Sequence, residues 1–187
     1  MNRTELQEKA DKHWTDIRFA YSAAKELLIH SEEKLSEMQL YPAPLLEHRD
    51  ALDHIMRHSQ IVAELGLCEA AINELASAKQ HEIRAFYDVA DFICITIRKE
   101  ISETLSMLSK KQIEHVWPEY KDVRLRVIKL SDEIAQIRNG TRETVSSIPR
   151  YQAAVGEMFK IYAFFQTNIQ PKIGHNFICR LRKMFQL

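Results

Sequence analysis

Ile113, Val116, Tyr120, Val123, Val127, Leu130, Ile134 and Ile137 recur in unbroken three-four spacing. That spacing sets all of these side chains on one stripe of an α-helix and calls for a partner helix to cover it. Burying eight such side chains is worth on the order of 12–24 kcal/mol before entropy is counted, so the stripe cannot stay wet. Long amphipathic helices packed side by side are the starting expectation.

The rest of the chain repeats the theme. A first helical tract spans about 4–40, with Trp14, Ile17, Tyr21, Ala24, Leu28, Leu35 and Met38 in heptad spacing and Ser31 at one polar seam position. A tract that long implies an elongated bundle or a break, and His30–Ser31–Glu32–Glu33 is the candidate break, because Ser followed by acids favours a helix start. Tyr41–Pro42–Ala43–Pro44 ends the tract, since a residue before proline leaves the helical region. A second helix runs from about Pro44 to Leu65 with Gly66 as its cap. A third covers roughly 68–108, with Ile72, Leu75, Phe86, Ala90, Ile93 and Ile97 inward. The fourth carries the opening stripe, is started or kinked by Pro118, and stops at Asn139–Gly140. A fifth lies within about 147–169, with Ile148, Tyr151, Val155, Met158, Tyr162, Phe165 and Ile169 in register, and Pro171 is expected to end it. No alternating strand pattern and no hairpin turn occurs. The pattern predicts an all-α fold: an elongated antiparallel bundle of about five long helices plus a short amphipathic C-terminal helix, in one domain of 187 residues.

Composition narrows the function classes. Lys plus Arg equal Asp plus Glu at 26 each, so no global field draws the chain to nucleic acid or membrane, and such binding needs a local patch. The polar N-terminus lacks a signal-peptide core, and no stretch approaches the ~18 apolar residues of an integral membrane segment. Three widely spaced cysteines, Cys68, Cys94 and Cys179, read as thiols in a reducing, cytoplasmic setting.

Two segments carry more chemistry than a bundle requires: Glu47–His48–Arg49–Asp50–Ala51–Leu52–Asp53–His54, continuing to Arg57–His58, and His81–Glu82–Ile83–Arg84–Ala85–Phe86–Tyr87–Asp88. They flank the turn at Gly66–Leu67. In an antiparallel hairpin position 54 lies level with about 79, and 50 with about 83, so residues some 34 apart can share one site roughly 18 Å from the turn. Against this, the second helix is expected to bury Leu45, Leu52, Ile55, Met56 and Val62, which turns His54 outward. Asp50–His54 and Arg49–Asp53 then also read as ordinary surface pairs worth ~0.2–0.5 kcal/mol.

Arg49–Asp50–Ala51–Leu52–Asp53–His54 resembles the Arg-x(4–6)-His signature of the HEPN superfamily, all-α nucleotide-binding and RNA-cleaving domains in which a polar residue often follows the Arg. The resemblance implies a dimer whose Arg and His line a basic cleft and cut RNA without metal. Arg49 would hold the scissile phosphate, Asp50 would occupy the polar position, and His54 would act as general acid or base. His81, Arg84 and Tyr87 are supporting candidates from the hairpin geometry of this chain.

Metal chemistry has little support, because no Glu-x-x-His pair occurs and Asp50, His54 and His58 are expected to point outward; no cofactor is expected. The C-terminal segment 172–187 offers a basic edge, with Lys172, Arg180, Arg182 and Lys183 beside apolar Phe177, Ile178, Leu181, Met184 and Phe185. It reads as a terminal helix docked on the bundle or as a contact for RNA or protein. Two functions follow. The first is a non-enzymatic interaction module that forms a homo-oligomer or binds a partner protein through an excess apolar seam; the second is a HEPN-like ribonuclease or an inactive relative.

Overall fold

The computed structural model describes residues 2–35, 41–141 and 144–174. They form six α-helices and no strand: α1 Arg3–Glu32, α2 Ala43–Leu65, α3 Glu69–Ser106, α4 Lys110–Val116, α5 Tyr120–Thr141 and α6 Ile148–Phe164. The fold is all-α. Its contacts group into two compact units, Met1–Ile93 with Ile137–Gln152, and Cys94–Gln136 with Ala153–Leu187; α3, α5 and α6 each supply residues to both.

Local chemistry sets the helix ends. Asn2 caps α1 by accepting from the Glu5 backbone N–H at 2.8 Å, while the Glu5 carboxylate accepts from the Asn2 N–H at 3.0 Å, so two orphan donors are satisfied reciprocally. Gly66 ends α2 at φ 75°, ψ −179°, a region essentially restricted to glycine. Ser109 and Gln112 start α4, with the Ser109 N–H donating to the Gln112 side chain at 2.9 Å. Trp117–Glu119 then interrupt the helix, and Pro118 leads into α5 instead of kinking a single rod.

The stripes read from the sequence are largely buried. On α3 every expected position, Ile72 through Ile97, is inward, and on α6 so are Ile148, Tyr151, Val155, Met158 and Tyr162. The opening stripe is deeply buried at Val116, Leu130, Ile134 and Ile137, and half-buried between. On α1, Ile17 and Ala24 are buried but Tyr21 is exposed, and Leu35, just past its end, is buried. The helix ends at Glu32, within the expected break; buried Ser31 donates its hydroxyl to the Leu28 carbonyl at 2.8 Å. Met38 lies outside the described residues.

Pro171 does not end the last helix. Phe165–Ile169 form a π-helical turn, and helix continues over 170–174. The wider turn makes room for a ring that would otherwise clash with the preceding carbonyls, and side chains take up freed acceptors. Thr167 donates to the Ala163 carbonyl at 2.8 Å and Asn168 to that of Phe164 at 3.2 Å.

In the first unit, Ala10, Ile17, Ile72, Leu75 and Ala78 form a core edged by Trp14, Ile55 and Leu67. In the same unit Phe86, Tyr87 and Tyr151 pack edge-to-face, with ring centres 5.0–5.9 Å apart. In the second unit, Trp117 packs against Tyr120 at 5.4 Å and Phe165 at 5.8 Å. Its indole Nε1 is buried with no hydrogen-bond partner among the described residues, an arrangement that costs about 1–3 kcal/mol where a donor stays unsatisfied. Cys68 is half-buried and Cys94 is buried. No described helix is long and apolar enough to cross a membrane.

Candidate functional site: a histidine–carboxylate seam

The α2 helix lies the other way round from the expectation. Its inward residues are Ala51, His58 and Pro44, while Leu45, Leu52 and Met56 are 60%, 56% and 62% exposed. Ile55 and Val62 are half-buried. The physical reason is that α2 carries two helical stripes. Leu45, Leu52 and Met56 form one; Glu47, Ala51, His54 and His58 form the other, in equally regular four-three-four spacing. The polar stripe is the one buried, because α3 presents matching partners that satisfy it.

Four hydrogen bonds define the seam. The His48 ring meets the Glu82 carboxylate at 2.8 Å, and His81 meets Glu47 at 2.8 Å. His54 meets Glu74 at 2.7 Å, and His58 meets the Ala71 carbonyl at 2.8 Å. The residue numbers in each pair add to 128–130, the signature of one antiparallel register. The hairpin expectation is right in kind, with partners 34 apart at Glu47–His81 and His48–Glu82. It is off by about one turn, since 54 lies level with 74 and not with 79.

Aromatic contacts brace the same histidines. His54 and His81 stack at 5.2 Å, Tyr21 of α1 sits edge-on to His48 at 5.3 Å, and Trp14 sits edge-on to His58 at 5.9 Å. Glu82 is buried and so depends on His48 for its satisfaction. Glu74 is held below the usual carboxylate range, first by its bond from His54 and then by Arg57, which approaches at 3.1 Å. The neighbouring His13 is pushed down by burial and by Lys79.

The residues named by the HEPN-like motif divide between this seam and the solvent. His54 belongs to the seam. Arg49 projects outward, about 140° around the helix from His54, and both its Nε and Nη2 donate to Asp50 Oδ1, at 3.0 and 2.7 Å. That bond holds Asp50 below and Arg49 above their ordinary values. His81 joins the seam through Glu47, and Arg84 is exposed. Tyr87 lies outside both groups: it is fully buried, with its hydroxyl 2.6 Å from Ser147 Oγ. Arg180, Arg182 and Lys183 lie outside the described residues. No group of three metal-ligating side chains occurs among the described residues. Sequence reasoning assigned no partners to Glu47, Glu74 and Glu82; the available signal was the three-four spacing of the His and Glu positions themselves.

Compared with protein-family models, curated proteins and solved structures, the chain matches none of them.

Proposed function

We propose that this chain is a helical interaction module that self-associates through the outer face of α2. The observation that carries the reading is the exposure of Leu45, Leu52 and Met56 in one stripe, on a helix whose histidines are turned inward. An exposed apolar stripe of this kind, with Arg49 set within it, suits an association surface. A second copy suits it. An antiparallel pair of α2 helices crossing near Ala51 sets Leu45 against Met56 and brings Arg49 beside the second copy's Asp53, an isologous arrangement. The His–Glu seam then has a structural task, fixing the register of α2 on α3 and so the direction of the stripe.

Sedimentation across roughly micromolar to millimolar concentrations tests this. The expected result is a species above 21.9 kDa that becomes monomeric, with unchanged helicity, in Leu52→Glu/Met56→Glu. A wild-type monomer throughout that range overturns it.

The second reading, a HEPN-like ribonuclease, draws on the contact between His54 and Glu74, which orients the imidazole by one nitrogen as a general base requires. Its test is cleavage of RNA by the purified protein, lost in Arg49→Ala and in His54→Ala with the melting temperature little changed. Cleavage that survives both substitutions, or none by the wild type, removes it.

A further inference from the structure

The second unit contains a half-open cavity of about 210 Å³ between α3, α5 and α6, walled by Ile97, Ile101, Val127 and Met158 and by the ring of Trp117. Three observations give it a chemistry. The wall is apolar, so a ligand body must be apolar as well. Arg98 and Arg124 line it and are exposed, and no carboxylate does. Neither arginine forms an ion pair among the described residues; the bonds that hold Arg98 go to neutral groups, the Cys94 carbonyl at 3.1 Å and Ser131 Oγ at 3.0 Å. Among the described residues, two guanidinium charges therefore stand beside greasy surface without an ion-pair partner. Finally, Trp117, 1% exposed, forms part of the wall, so its ring senses what occupies the cavity.

We infer that this cavity binds a small amphipathic carboxylic acid. The acyl chain fills the apolar wall and the carboxylate meets Arg98 and Arg124. Size fixes the class further. An apolar cavity of about 150 Å³ accepts benzene, so scaling by volume gives a body of about eight carbons here. The inference is independent of how α2 is used.

The experiment is a titration of the full chain with octanoate, with octanol as the uncharged equivalent, followed by the indole N–H signals of the two tryptophans; Trp14→Phe assigns them. The expected result is saturable binding with a shift confined to the Trp117 signal, and octanoate preferred over octanol by about tenfold or more. Arg98→Gln/Arg124→Gln, at two exposed positions, removes that preference, and Ile101→Phe narrows the cavity and abolishes binding. Should Ile101→Phe fail to fold, the arginine variant alone decides. An unmoved Trp117 signal, equal affinity for octanol, or a preference that survives loss of both arginines overturns the inference.

Discussion

The α2–α3 seam and the surroundings of Trp117 bury opposite materials. The seam buries histidines and carboxylates and leaves leucines outside. Around Trp117 the buried side chains are aromatic and aliphatic, and the charges sit at the edge. An apolar wall stabilises in proportion to its area and tolerates imperfect fit. A polar seam contributes little net energy, yet losing one partner strands the other, so it specifies geometry more than it adds stability.

That contrast has measurable consequences. Met158 is fully buried beside Trp117, and Met158→Ala is expected to cost about 2–5 kcal/mol in a denaturant titration, with no rescue by any single second substitution. In the seam, Glu82→Ala strands His48 and is expected to cost about 3 kcal/mol. There the loss should be recoverable: Glu82→Leu with His48→Leu restores stability to near the wild-type value, because an apolar pair of similar volume replaces a hydrogen-bonded polar one. If the double variant stays as unstable as the single, the seam is more than a register device.

A smaller effect is expected at the turn that joins the two helices. Gly66→Ala introduces a Cβ at φ 75°, ψ −179° and should cost about 1–3 kcal/mol through backbone strain, although no neighbour within 4 Å is crowded. The smallest effect is pH-dependent. His13 binds its proton less readily folded than unfolded, so the unfolded state takes up more protons and stability falls as pH drops below about 6.5. His13→Gln should flatten that part of the stability profile. Glu74, held low by His54 and Arg57, adds a loss only at more acidic pH, as its folded-state carboxylate is titrated.

The two regions also differ in how legible they were. Burial at Ile148, Tyr151, Val155 and Met158, and the helix limits at Gly66 and near Ser31, follow directly from periodicity and cap chemistry. Those signals depend on residues whose preference for the interior is intrinsic. The orientation of α2 is different. Leu45, Leu52 and Met56 outrank Glu47, His54 and His58 on any hydropathy measure, and the choice between the two stripes depends on Glu74 and Glu82 lying across the seam. A pairwise satisfaction of this sort cannot be read from one helix at a time. Pro171 teaches the same point, since the π turn that admits it is set by neighbouring residues. Of the motif residues, the hairpin argument correctly joined His54 and His81, but it could not foresee that Arg49 would pair with its own neighbour Asp50.

Adjacent positions 51 and 52 give the most direct test of the inverted helix. Ala51 is fully buried, whereas Leu52 is exposed. In denaturant titrations at protein concentrations low enough to prevent association, Ala51→Glu should lower stability by about 3 kcal/mol or more, as an unpaired buried charge does. Leu52→Glu should stay within about 0.5 kcal/mol of wild type, as a surface substitution does. The reverse order, with Leu52→Glu unfolding the protein and Ala51→Glu tolerated, would contradict the account.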